Sequence, residues 1–525
     1  MEQATVHLRL SMITGRINRA LIGLRRLAVQ AWAGPGLPVL FVAVYTVAYP
    51  ARFPLLTWYD TAHITFASST SYHPLAALGL VLAGLALVVL CWQMGRVAQT
   101  LPRRTAILLI LSGWLGACAC ALLTYPGQST DMGDYIFRAH MLIHLGHNPM
   151  TTPPSALIAW EEFPYLSWLN APDYYGPLWH WLSGATHALA GENLLANFLA
   201  YKLLGLAAVG FSGLLIYLIL RRRTAGYAVA GLGLWLWNPV VINEGVMHGH
   251  NDLVMIPLIL SGIGLLLRSE ECGGSMSRMD FAWRFATDVA GILLLGAAGL
   301  VKATMWILLP VAAVWLVRRR GFRQGVALVA VGLLAGAALV WLAYRPFGGW
   351  DLIITMAQKR GWWPANSWSA ALFFGLRDGA GWPHAVVKRL VLGGTMILWA
   401  FVAGLVMLRL RDLCQAAWAV TLAYLLIGSI WFQPWYATII ISLACLVPIR
   451  HVTDYTLVLS FFMLLHPVVE QFLASRVSLP PGGYHLIMSV TVLLVPQAIV
   501  LIMLFRSHVA SRLRIFPGNL KRNPY

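Results

Sequence analysis

Charge is scarce in this chain. Only 11% of its 525 residues are charged and 59% are hydrophobic, whereas a soluble domain carries roughly 25% charged residues. A soluble protein of this length needs a polar surface whatever its core, so the deficit excludes that class. Acids are the rarer sign, 19 against 37 Lys and Arg, for a net charge of +18. The balance invites a nucleic-acid partner, but the basic residues form no patch. They stand at the ends of apolar runs, where they specify membrane topology, and no nucleic acid is expected. Cysteine is sparse too. Cys91, Cys118, Cys120, Cys272, Cys414 and Cys445 fall in apolar runs or on expected inner loops, which excludes a disulfide framework. The first 28 residues lack a clean apolar stretch, because Arg9, Arg16, Arg19, Arg25 and Arg26 interrupt them. A cytoplasmic amphipathic segment is expected there rather than a cleavable signal peptide.

What is abundant is apolar runs of about 20 residues, the length that crosses a bilayer core as a helix. Such uniform runs do not carry the alternation of a barrel, so the fold class is all-α, a polytopic transmembrane helical bundle. About 14 spans are expected, at 32–49, 75–94, 105–124, 194–220, 224–242, 252–268, 286–301, 304–317, 325–344, 387–408, 413–431, 436–450, 454–468 and 484–506. They make one transmembrane domain over 29–506, preceded by the 1–28 segment and followed by a basic cytoplasmic tail, 507–525. Placing most basic residues inside puts both termini in the cytoplasm. It also requires 286–301 and 304–317 to form a hairpin, and 176–191 to be a helix lying on the outer surface. The chemically rich segments then fall outside: 125–193, 243–252, the turn at Lys302, 345–386, 432–436 and 469–483.

Four groups of residues in those segments suggest chemistry. Asp131, Asp134 and Arg138 stand at i, i+3 and i+7, so a helix brings them toward one face; helix capping is the ordinary use of such acids. His248, Asn251 and Asp252, with His250, crowd a turn suited to hydrogen bonding with sugar or phosphate. A His-x-His pair also binds metal, but no matching second ligand pair is evident. Lys302 sits between two short apolar spans, where a cation is expensive unless paired, hydrated or facing an anion. Gln433, Trp435 and Tyr436 occupy a short aromatic turn, which serves either as a membrane-interface anchor or as a sugar platform.

In this order the motifs resemble bacterial polyprenol-phosphate-mannose-dependent mannosyltransferases of the C-type glycosyltransferase superfamily. The likeness covers about residues 105–450. Asp131 four residues before Tyr135, then Gly146-His147-Asn148-Pro149, match the first large loop, with Met150 where the family usually has tyrosine. Tyr175-Gly176-Pro177-Leu178-Trp179, Asn238-Pro239, Gly249-His250-Asn251-Asp252, Lys302 and Pro434-Trp435-Tyr436 match the later elements. The resemblance implies an inverting transfer of a hexose, mannose above all, from a polyprenyl-phosphate donor to an extracytoplasmic glycolipid or glycan. It implies Asp131 as general base, with Lys302, then Arg138 and His250, on the donor phosphate. Asp134, Tyr135, Asn148, Tyr175, Trp179, His248, Asn251, Asp252, Gln433, Trp435 and Tyr436 are the expected sugar or acceptor contacts. No cofactor is required, since a single donor phosphate can be neutralised by side chains. The spaced pair Asp131 and Asp134 leaves a divalent metal possible. The rival readings are a transporter or flippase of a lipid-linked sugar, which would favour internal repeats and ionisable residues deep in interrupted helices, and a structural membrane subunit without chemistry.

Overall fold

The computed structural model describes residues 35–61, 64–157, 166–268, 277–359, 364–473, 476–478 and 481–502. The 1–28 segment, the 507–525 tail and Cys272 lie outside them. Among the described residues the protein is helical and forms no strand; two isolated bridges join Pro54 to Thr124 and Ala365 to Trp431. All the described cysteines are free and buried.

Among the described residues, seven helices are long and apolar enough to cross a membrane: Pro74–Ala98, Arg103–Leu122, Leu194–Arg223, Arg278–Val301, Phe322–Phe347, His384–Arg409 and Arg450–Phe472. An eighth span is counted if Ala225–Leu236 and Pro239–Met247, bent by 51°, are one crossing. The bend falls at Asn238-Pro239. Pro239 has no N–H to continue the first helix, and the Asn238 side chain caps the second by accepting from the Val240 N–H. The other apolar segments do not qualify on length: Pro35–Ala48, Leu413–Gly428 and Pro434–Cys445 are shorter helices, and Asp252–Arg268 has 17 residues. Fewer helices thus qualify on length among the described residues than the about 14 spans expected.

The chain doubles back after Lys302. Arg320 Nη2 lies 2.8 Å from Asp288 Oδ2, whereas 32 residues of continuous helix would separate them by about 48 Å. Trp306 in the intervening turn donates from its indole nitrogen to the Gly296 carbonyl at 3.0 Å. The 286–301 and 304–317 segments therefore form the expected hairpin, the first as the end of Arg278–Val301 and the second as the turn Ala303–Ile307 followed by Leu308–Arg320.

Five helices build the site and are labelled here: α1 (Asp131–Ile143), α2 (Pro177–Ala190), α3 (Leu194–Arg223), α4 (Asp252–Arg268) and α5 (Arg278–Val301). The 176–191 segment does become a short helix, α2. Its Trp179, His180, Ser183, Thr186 and His187 are buried, and it packs on α1 and α3.

Lys202, in the first third of α3 and fully buried, anchors this arrangement. Its ammonium donates to the carbonyls of Ala121 at 3.0 Å, Thr124 at 2.8 Å and Met247 at 2.6 Å. The Thr124 and Met247 carbonyls lie past helix ends, where the helical ladder supplies no donor, while the Ala121 carbonyl also accepts from the Thr124 N–H at 3.2 Å. Lys202→Met strands the Thr124 and Met247 carbonyls and is expected to cost about 3 kcal/mol, a typical penalty for unsatisfied buried acceptors. The check is a lower midpoint for the loss of monodisperse protein on heating in detergent.

Candidate active site

Asp131 opens α1, the first residue after Thr130. Its backbone N–H is held by Ser129 Oγ at 3.1 Å, which leaves the carboxylate free to face inward. Oδ2 accepts from the hydroxyls of Tyr135, one turn on, at 3.4 Å and of Tyr175 at 3.5 Å. The Asp131 side chain retains 13% exposure, while its partner His250 has none, 3.5 Å from Nδ1 to Oδ2. His250 Nε2 faces Glu244 Oε2 at 3.2 Å. Burial opposes the charge on His250, but Asp131 and Glu244 on its two nitrogens outweigh it and lift its pKa to about 9. Burial also opposes the charge on Asp131, and here His250 and Lys302 prevail and hold it below the ordinary carboxylate range.

Local backbone geometry puts these groups together. Helix Pro239–Met247 ends in a wide turn over Asn243–Met247, and Gly249 follows at φ +63°, a conformation that favours glycine. The reversal delivers His250 and then Asp252, the first residue of α4. Asp252 accepts two bonds from Lys302 Nζ, at 3.0 and 2.9 Å. Lys302 caps the C-terminal end of α5 in extended conformation. Its ammonium lies 4.1 Å from the centre of the Tyr436 ring and 5.7 Å from that of Tyr175, within cation–π range. Burial opposes its charge, but Asp252 raises its pKa above the usual lysine value. Tyr175 can reach it because Gly176 lies against α5. The Gly176 N–H bonds to the Val301 carbonyl at 2.9 Å, and a Cβ on Gly176 would stand 2.0 Å from the Leu300 carbonyl oxygen.

Trp435 stacks on His250 with ring centres 4.0 Å apart and planes 20° apart, so one ring face is covered. Trp435 and Tyr436 are half-buried and Gln433 is nearly buried. Both polar atoms of the Asn251 side chain and both ring nitrogens of His248 are buried without a hydrogen-bond partner; His248 Nδ1 lies 3.7 Å from Glu244. Such groups demand a ligand or water, since an unpaired buried polar atom is costly.

Four sequence candidates are used differently. Asp134 accepts from the backbone N–H groups of Ser167 and Trp168, at 3.4 and 3.3 Å. Burial first, with the Asp131 charge adding to it, pushes its pKa up to about 7 despite Arg138. Arg138 is not directed at the centre. It donates to the carbonyls of Trp168 and Ala171, at 3.1 and 3.0 Å, and its Nε lies 3.8 Å from Asp173. Both residues fasten the 166–173 stretch to α1. Asn148 donates to the Phe347 carbonyl at 2.6 Å. Trp179, 1% exposed, packs edge-on under Tyr135 at 4.8 Å. Arg138, Asn148 and Trp179 support the site rather than line it.

Glu244 is the member that sequence reasoning missed. It stands in the apolar run 240–247, and an acid there is expensive enough to signal function. Glu244, His248 and His250 offer ligand atoms within 4.8 Å of one another, so they could share a cation. Protonated His250 already places a positive charge there. The centre otherwise holds three carboxylates, Asp131, Glu244 and Asp252, and one further cation, Lys302.

Comparison with known proteins gives a family match. Residues 35–318 match the family described as "Alpha-(1->6)-mannopyranosyltransferase, N-terminal domain". The chain is 26% identical over 311 residues to a probable alpha-(1->6)-mannopyranosyltransferase of Mycolicibacterium smegmatis, covering 54% of this chain and 55% of that protein. It is 30% identical over 198 residues to alpha-(1->6)-mannopyranosyltransferase A of Corynebacterium glutamicum, covering 36% and 35%. It is 27% identical over 278 residues to protein B of that organism, covering 50% and 45%. The chain thus spans about half the length, or less, of these curated relatives. No solved structure gives a significant match.

Proposed function

The chain belongs to the alpha-(1->6)-mannopyranosyltransferase family, and on that premise we propose that it transfers mannose from polyprenyl phosphate to a glycolipid or glycan with inversion at the anomeric carbon. The observation that carries this reading is the Asp131 carboxylate: partly exposed, accepting from two tyrosine hydroxyls, and 3.5 Å from the His250 ring. The acceptor hydroxyl, a 6-hydroxyl by analogy with the relatives' names, attacks C1 of the donor. As the new C–O bond forms, the bond from C1 to the phosphate oxygen breaks and its electron pair stays on the phosphate. The hydroxyl proton passes to Asp131. Asp131 is a weak base, but positioning and a half-transferred proton suffice. The leaving phosphate meets Lys302 and His250, with the N-terminus of α1 adding its dipole. Trp435, Tyr436, Tyr175 and Gln433 provide the stacking and amide contacts for sugar, and His248 and Asn251 have polar atoms to spare for its hydroxyls. The site works on the extracytoplasmic side of the cell membrane, with both termini cytoplasmic.

The test is incubation of purified protein in detergent with polyprenyl-phosphate mannose and, in parallel, GDP-mannose. Mannosylated acceptor should form from the lipid donor alone, and product from GDP-mannose alone would overturn the donor assignment. Because His250 keeps its proton to about pH 9, activity should hold through neutrality and fall as pH rises through about 9, when the phosphate loses a cation. His250→Gln should be less active at every pH and lack that alkaline limb; an unchanged limb would reassign it. The same shift stabilises the fold below the usual histidine pKa, an effect lost above about pH 9.

The reading requires no metal. A divalent ion on Glu244, His248 and His250 is the second reading, and the proximity of their ligand atoms favours it. Turnover should survive EDTA at neutral pH, because a protonated His250 has no lone pair for a metal. Loss of turnover restored by Mg2+ or Mn2+ would select the second reading.

A further inference from the structure

We propose that His140, His144 and His187 bind a divalent transition-metal ion of the zinc class, which clamps α1 to α2. The three residues offer one nitrogen each, all within 4.8 Å of one another. His140 and His144 lie at i and i+4 at the end of α1, on one face of the helix. His187 comes from the last turn of α2. The ring centres stand 5.0 Å apart for 140–144, 5.5 Å for 140–187 and 5.2 Å for 144–187.

The protonation of His187 is fixed by its neighbour. The Asn197 amide nitrogen donates to the carbonyls of Gly191 and Asn193, at 2.7 and 2.9 Å. Its oxygen therefore faces His187 Nδ1, 2.7 Å away. An amide oxygen only accepts, so Nδ1 must carry the proton and Nε2 must present a bare lone pair. His187 is 2% exposed, and Nε2 is buried without a hydrogen-bond partner. A proton-bearing nitrogen tied to an amide oxygen, with the other left bare, is how ligand imidazoles are oriented for a metal. His144 is exposed, so an ion can enter and water can complete a tetrahedral set. Three imidazoles suit zinc, and cobalt, nickel and copper as well. The carbonyl end of α1 adds a favourable dipole for a cation.

This site is separate from the Asp131 centre. His140 lies nine positions after Asp131 along α1, about 13.5 Å along the axis. Asp131 and Tyr175 meet at the starts of α1 and α2, and the histidines meet at their ends, so the two helices run parallel. A metal at one end would fix the spacing of the side chains presented at the other. Its role is structural, and it does not depend on which sugar or donor the protein uses.

The experiment uses the full chain, purified in detergent through a tag without histidine, stripped with chelator and titrated with Co2+. One equivalent should bind with the visible absorption of tetrahedral cobalt, Zn2+ should displace it, and Zn2+ should raise the melting temperature. His144→Ala changes only an exposed side chain. It should weaken binding by more than the roughly 10–100-fold that loss of an orienting partner costs, and abolish the zinc-induced thermal shift. No uptake by the wild type would overturn the proposal. So would binding that His144→Ala leaves unchanged, which would move the metal to Glu244, His248 and His250.

Discussion

Replacing Asp131 by Asn is expected to lower mannosyl transfer by roughly 10³-fold, within the range that general-base catalysis contributes, with folding and donor binding retained. The amide keeps the shape and can still accept from Tyr135 and Tyr175, but it cannot take a proton. The side chain is small and partly exposed, so the change opens no cavity. It does remove one of the two carboxylates that hold His250 protonated, and the pKa of that imidazole should fall. Single-turnover rates with saturating lipid donor, beside a donor-binding isotherm, separate the chemical effect from binding. A variant that bound donor normally and turned over within tenfold of wild type would remove Asp131 as the base.

Lys302→Met is expected to be as damaging, for two reasons that can be separated. A missing donor to a developing anion costs roughly 10²–10³-fold in turnover. The same substitution also leaves the fully buried Asp252 without its ion-pair partner, and breaking a buried pair typically costs about 3–5 kcal/mol. The double variant Lys302→Met/Asp252→Asn removes the stranded charge. It should regain the stability that Lys302→Met loses while remaining catalytically impaired. Recovery of transfer together with stability would show that Lys302 acts only by neutralising Asp252.

Much of this centre is legible in the sequence because its members sit at element boundaries. Asp131 starts α1, Asp252 starts α4, Lys302 ends α5 and Trp435 lies in a short turn. A polar residue between apolar runs is conspicuous, and the packing of those runs brings such boundaries together. Asp134 and Arg138 were harder to place. Helical spacing puts Arg138 near the direction of Asp131, but two turns away, about 10 Å along the axis. Its partners are carbonyls at 168 and 171, and no residue pattern encodes a bond to a backbone oxygen thirty positions away. Asn148 bonds to a carbonyl 199 residues off and is equally invisible. Trp179 is an expected sugar contact by residue type and motif, whereas its place on the buried face of α2 makes it core. Glu244 was hidden by the opposite error, since the stretch around it was read as an exposed turn when it is the buried end of a broken helix.

The most direct test of the central claim follows one labelled mannose from donor to product. Protein reconstituted in vesicles would receive polyprenyl-phosphate [14C]mannose and a membrane acceptor, and free polyprenyl phosphate would be measured alongside labelled product. The account predicts one polyprenyl phosphate released for each mannose transferred, with inverted anomeric configuration, and almost none of either from Asp131→Asn. Intact donor appearing on the opposite face of the membrane, without released lipid phosphate, would contradict it and identify a flippase instead.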